Sequence, residues 1–139
     1  MTDPIPLTGL HHVGATVRNL DASIAWYREA FGFDLLSEYG WPGVRVAFVG
    51  RGDVRIELFE VADAAPMGED RRRPETNLRI GGIGHLALAV VDVEAAVADL
   101  RGRQVEIVAP PRDVTDGSGS RFAFVRDNEG MLLELFQPG

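Results

Sequence analysis

Apolar positions along the chain change period in a fixed order, and that order occurs twice. Alternation over Leu10 to Val17 predicts a strand, with every second residue on one face. Ile24, Tyr27 and Phe31 then recur at helical spacing within 21–31, after Asn19 as a capping residue and before Gly32 as a terminator. Three more strands are predicted near 34–39, 44–49 and 54–59, punctuated by Pro42-Gly43 and Gly50-Arg51-Gly52-Asp53. The string then returns with a strand near 83–90 and a helix near 93–101, the latter carrying Val93, Val97 and Leu100 on one face between Asp92 and Gly102. Strands near 104–108, 120–125 and 131–136 complete it. Each half reads βαβββ.

The halves also match residue by residue. Gly9 to Val17 aligns with Gly82 to Val90, so that His12 meets His85 at an offset of 73. Phe48 meets Phe124 at an offset of 76, inside Arg45 to Val49 and Arg121 to Val125, and Glu57 meets Glu134 at an offset of 77. The fold class expected is α+β, one domain over 1–139. It comprises two tandem βαβββ modules, about 8–60 and 82–137, whose mixed sheet curls around a central cleft. A functional site is expected in that cleft. Between the modules, 61–81 reads as a polar, flexible linker, and its Arg71, Arg72 and Arg73 as solvated charge in preference to an anion clamp.

Composition narrows the chemistry. With 45% hydrophobic and 25% charged residues, the 139-residue chain has the profile of a globular domain with a core. Its longest apolar run, Leu86 to Val91, is far short of the roughly 20 residues of a membrane span. Residues 1–7 lack the basic-then-apolar order of a secretory signal, so a cytoplasmic protein is expected. A net charge of −7 disfavours nucleic acid and anionic lipid as partners and leaves a small molecule as the expected ligand. The absence of cysteine removes disulfides, thiolate metal sites, iron–sulfur clusters and thiol nucleophiles. Gly81-Gly82-Ile83-Gly84 precedes a strand instead of a helix, which argues against a nucleotide cofactor, and Ser118 and Ser120 have no evident His and Asp partners for a serine hydrolase.

Repetition explains recurring apolar residues but not recurring polar ones. Glu134 shares a strand face with Leu132 and Phe136, while Leu133 and Leu135 cover the other, so both faces are expected to be buried. An ionised carboxylate there costs several kcal/mol unless a cation or donors meet it. His85 lies between Ile83 and Ala87 on its face, and His12 between Leu10 and Gly14, leaving room at each imidazole. Glu57 shares its face with Arg55 and Phe59, and Arg55 is a candidate partner for it on a solvated surface. Two imidazoles and two carboxylates carry −2, which a divalent ion neutralises while keeping open positions. His12, Glu57, His85 and Glu134 are therefore the candidate metal ligands. His11 has no counterpart, since Gly84 takes its place, and Trp41, Phe48, Phe59, Phe122, Phe124 and Phe136 read mostly as core.

The doubled pattern, with a histidine opening each module and a glutamate in each last strand, resembles the vicinal oxygen chelate superfamily. Trp26-Tyr27-Arg28, Phe31-Gly32-Phe33 and the run Phe122 to Gly130 leading to Leu133-Glu134-Leu135 carry the resemblance over nearly the whole chain. It includes glyoxalase I, methylmalonyl-CoA epimerase, extradiol dioxygenases and bleomycin-resistance binding proteins. The resemblance implies a divalent metal (nickel, cobalt, manganese, iron or zinc) held by His12, Glu57, His85 and Glu134, the set of bacterial glyoxalase I. It also implies a homodimer, with the site inside one chain or shared between two. The implied activity is metal-dependent isomerase, epimerase or lyase chemistry on a small α-oxygenated carbonyl or thioester, with Glu134 or Glu57 as the catalytic proton carrier. A non-catalytic binder of an antibiotic or aromatic metabolite and an iron-dependent extradiol dioxygenase are the alternatives. Glyoxalases of bacteria carry arginine and asparagine, for glutathione, where this chain has Thr16 and Val61, so glutathione is not the implied substrate.

Overall fold

The computed structural model describes residues 2–139. Strand β1 (Val13–Val17) leads into helix α1 (Leu20–Phe31), whose first turn is capped by the Asn19 side chain accepting from the Ala22 amide at 3.0 Å. Gly32 ends the helix in the left-handed conformation, φ 68°, as the sequence predicts. Strands β2 (Asp34–Trp41), β3 (Val44–Arg51) and β4 (Val54–Val61) follow as an antiparallel meander. β1 then pairs with β4 in parallel, giving the sheet order β1-β4-β3-β2.

The second module repeats this topology with β5 (Leu86–Ala89), α3 (Val93–Gly102), β6 (Ile107–Asp113), β7 (Arg121–Arg126) and β8 (Leu132–Gln137), in the order β5-β8-β7-β6. Asp92 caps α3 as Asn19 caps α1. Its far end departs from expectation: Gly102 is the last helical residue, and the chain reverses at Gln104, φ 65°. That reversal delays β6 from 104–108 to Ile107–Asp113.

The two modules share one core. Tyr27, Val49, Ile56 and Leu58 from the first and Val97, Leu100, Val125 and Leu135 from the second form a single buried cluster on the helix side of both sheets. Burying that apolar surface is the main driving force that joins the halves. One polar contact sits within it. The Tyr27 hydroxyl donates to Asp127 at 2.7 Å, and Asp127 also accepts the Glu129 and Met131 amides at 2.9 Å each. Burial pushes the Tyr27 phenol and the Asp127 carboxyl above their ordinary pKa values. The two sheets do not hydrogen-bond to each other, and the edges of β1 and β5 face across a cleft of about 1010 Å³.

The segment between the modules is more ordered than its composition predicts. It holds a 3-10 turn, Glu69–Arg72, and a single helical turn, α2 (Pro74–Asn77). Among the described residues no helix is long and apolar enough to cross a membrane.

Tyr27→Phe removes one of the three donors to a buried carboxylate and is expected to lower stability by about 1–3 kcal/mol in urea unfolding at pH 7. A carboxyl whose native pKa lies above its unfolded one loses stability as pH rises through the native value. Without the Tyr27 donor that loss deepens, so the difference between the proteins should shrink once acid protonates Asp127 in both states. An equal difference at pH 7 and at pH 3.5 would overturn this account.

Candidate metal centre

Register puts the four candidate ligands in place. Parallel pairing sets Gly14 opposite Glu57 and Ala87 opposite Glu134, so each carboxylate lies beside a residue with little or no side chain. The antiparallel neighbour sets Phe48 opposite Glu57 and Phe124 opposite Glu134. His12 and His85 each stand two residues before the small residue and just ahead of the strands predicted to contain them. Each imidazole therefore reaches along the sheet face to its carboxylate. His12 Nε2 lies 3.4 Å from Glu57 Oε1, and His85 Nε2 lies 3.2 Å from Glu134 Oε1. Edge-on packing against a phenylalanine holds both rings, at 5.1 Å between His12 and Phe48 and 5.0 Å between His85 and Phe124.

Both carboxylates are well covered, with side-chain exposures of 12% for Glu57 and 15% for Glu134. Arg55 is not the partner of Glu57: its guanidinium donates to the His11 carbonyl at 3.2 Å, so no arginine neutralises that carboxylate. Nitrogen and oxygen donors at two covered, cation-poor positions are the chemistry a divalent ion accepts. The residues present fit such an ion as two half-sites. Among the described residues no three His, Asp or Glu side chains converge on one point, so the four residues form two separate His–Glu pairs.

Two neighbours escape sequence reasoning. The Tyr39 hydroxyl, from β2, donates to Glu57 Oε2, and this bond pushes the phenol above its ordinary pKa so that it remains a donor. Nothing local in the sequence signals this, because it depends on the β2–β3–β4 register. His11 Nδ1 lies 2.8 Å from His12 Nδ1, so the two rings share one hydrogen bond there while the Nε2 of His12 faces Glu57. The second module has neither feature.

Other candidates settle differently. Arg71 donates to Ile83 O at 3.1 Å, Gly81 O at 2.9 Å and Asn77 Oδ1 at 3.2 Å, and Arg72 donates to Glu129 O at 3.2 Å. These two arginines tie the connecting segment to the second module, which corrects the reading of solvated charge in a flexible linker. Arg73 is exposed. Thr16 and Val61 line a second cavity of about 500 Å³ with uncharged side chains.

Fold and site together define a duplicated module carrying one His–Glu pair per copy, and comparison with known proteins gives that class a family. Residues 9–135 match the model of the Glyoxalase/Bleomycin resistance protein/Dioxygenase superfamily, and the chain belongs to that family. It is 34% identical to the 2-epi-5-epi-valiolone epimerase of Actinomyces sp., over 91% of this chain and 77% of that protein. It is 29% identical to the mitochondrial methylmalonyl-CoA epimerase of Mus musculus, over 92% and 72% of the two chains. The crystal structure of a glyoxalase family protein from Enterococcus faecalis superposes with a TM-score of 0.76 at 28% identity, covering 93% of this chain and 97% of that one.

Arg71→Ala removes donors from two backbone carbonyls and a buried asparagine. It is expected to cost about 1–3 kcal/mol in urea unfolding. A change within about 0.5 kcal/mol would return Arg71 to the role of an ordinary surface charge.

Proposed function

We propose that this protein is a metal-dependent isomerase or epimerase acting on a small α-oxygenated carbonyl or thioester compound. The observation that carries the reading is the recurrence, in both modules, of a covered glutamate within 3.4 Å of an imidazole nitrogen with no arginine beside it. Membership of the family and similarity to proteins named as epimerases support the reaction class.

His12, Glu57, His85 and Glu134 would hold the ion. Since each chain presents them as two pairs, the complete centre is assembled in a homodimer, where His12 and Glu57 of one protomer meet the partner's His85 and the partner's Glu134. Leu10 and Ile83 support this arrangement. They occupy equivalent places two residues before each histidine, line the same cleft and are 80% and 84% exposed, so a second surface closing over the cleft would bury both. A divalent ion bound there supplies an electrophilic centre for two neighbouring substrate oxygens and stabilises negative charge as it develops.

The two carboxylates differ in what they can do. Glu57 is held at one oxygen by Tyr39 and at the other by His12. Glu134 has His85 beside it and no hydroxyl or amide donor among the described residues, so it is the freer carboxylate. Glu134 is assigned the proton removal: it takes the proton from the carbon next to the carbonyl and, in an isomerase, returns it to the neighbouring carbon on the same face, whereas inversion in an epimerase needs a second proton donor on the opposite face of the enolate.

Elemental analysis after reloading with equimolar manganese, iron, cobalt, nickel and zinc tests the reading. About one ion per chain is expected for wild type, and none for Glu134→Ala. Wild-type protein that retains no metal overturns it. A mixing experiment tests the assembly: His12→Ala/Glu57→Ala and His85→Ala/Glu134→Ala proteins should each bind no metal. Unfolded and refolded together, they should recover roughly a quarter of an ion per chain, because half the dimers are mixed and each mixed dimer holds one intact centre. No recovery places the centre within one chain.

A further inference from the structure

We propose that Tyr39 is a positioning residue of the metal centre, its hydroxyl holding one oxygen of Glu57 so that the other, beside His12, is presented as a single fixed ligand. The assignment rests on the metal reading above.

Tyr39 is not where it is in order to fill the core. All eight residues of β2 are exposed, and Tyr39 itself is 48% exposed. What fixes its ring is the neighbouring aromatic surface: it stacks on Phe48 with centroids 6.4 Å apart and an interplanar angle of 24°, and Trp41 lies 6.3 Å away. Phe48 in turn packs edge-on against His12. The aromatic row thus carries the phenol across β3 to the carboxylate on β4, and the hydroxyl donates to Oε2 while Oε1 faces the imidazole. A tyrosine on an outer strand that spans a neighbouring strand to reach a covered carboxylate has a polar task, because the exposed position itself gains little from burial.

The pseudo-symmetric module supplies an internal control. Tyr39 pairs with Val46, which lies two residues before Phe48, and in the second module Arg112 pairs with Phe122, two residues before Phe124. Arg112 therefore stands where Tyr39 stands. It leans over the Phe122 ring, 5.6 Å from its centroid, and makes no ion pair with Glu134. Duplication kept the histidine, the phenylalanine and the glutamate in both copies, but among the described residues only the first copy has a hydroxyl donor on its carboxylate. A carboxylate with one oxygen engaged by a hydroxyl offers a metal one oxygen. Without that donor it can swing to offer both, taking a position that a substrate oxygen would otherwise occupy.

The test is Tyr39→Phe, which keeps the stacked ring and removes only the hydroxyl. Both proteins are stripped with a chelator and titrated with cobalt(II), following the visible absorption of the bound ion, whose bands report coordination number. Thermal unfolding of the metal-free proteins is measured alongside. The expected result is about tenfold weaker cobalt binding by the variant or more, together with an altered spectrum and an unchanged unfolding midpoint. An identical spectrum overturns the assignment, as does a lowered midpoint with the spectrum intact, which would make Tyr39 a packing residue. Wild-type protein that takes up no cobalt overturns the metal reading itself, and the role of Tyr39 with it, so the two failures are distinguishable.

Discussion

Parallel pairing of the first strand of each module with the last is the constraint from which the site follows. A parallel pair requires a long crossover, and the helix and meander in between supply it while covering one face of the sheet. The uncovered face then receives every second residue of both strands. With Gly14 opposite Glu57 and Ala87 opposite Glu134, the histidine two residues upstream has a clear path to the carboxylate. A one-residue slip of β1 against β4 would send His12 to the helix side, among Leu58 and Val49, where no partner waits. The buried helix-side residues therefore fix the register, and the register fixes the chemistry on the opposite face.

The same arrangement leaves each chain electrostatically unfinished. Two carboxylates at 12% and 15% exposure are poorly compensated, Glu134 with one imidazole beside it and Glu57 with an imidazole and the Tyr39 hydroxyl. Bringing a second His–Glu pair to the first would deepen the problem unless a cation of charge two entered with it. Under the proposed assembly, metal binding and association would therefore depend on the same residues, because a divalent cation would give the two pairs a reason to meet.

Much of this is legible in the linear sequence, for reasons that can be located. Helices α1 and α3 announce themselves through Asn19 and Asp92 and through apolar spacing, because capping and amphipathicity are local. Glu57 and Glu134 stand out because duplication supplies a comparison that a single module lacks. Their separation into two pairs is not legible, since it depends on how the sheets sit across the shared core. Nor is the shift of β6, which turns on a glutamine adopting positive φ where a neighbouring glycine was the obvious choice. Arg71 and Arg72 look like solvated charge by composition, and only the folded backbone shows which carbonyls they satisfy. Tyr39 is hidden for the same kind of reason: its target lies two strands away.

Duplicated modules start with equal halves, and the differences between them indicate how labour has been divided. Where the first half has His11 and Tyr39, the second has Gly84 and Arg112, so the first surrounds its histidine and glutamate with hydrogen-bonding groups and the second leaves its carboxylate freer. A centre that must both hold an ion and move a proton needs one carboxylate that stays and one that is available, since a group held at both oxygens cannot approach a carbon. Two identical halves would give two held carboxylates or two free ones. The asymmetry between the halves is thus what the proposed centre, built from a repeat, would require. On that proposal, Tyr39 of β2, the least buried strand of the first module, has a polar reason to reach Glu57.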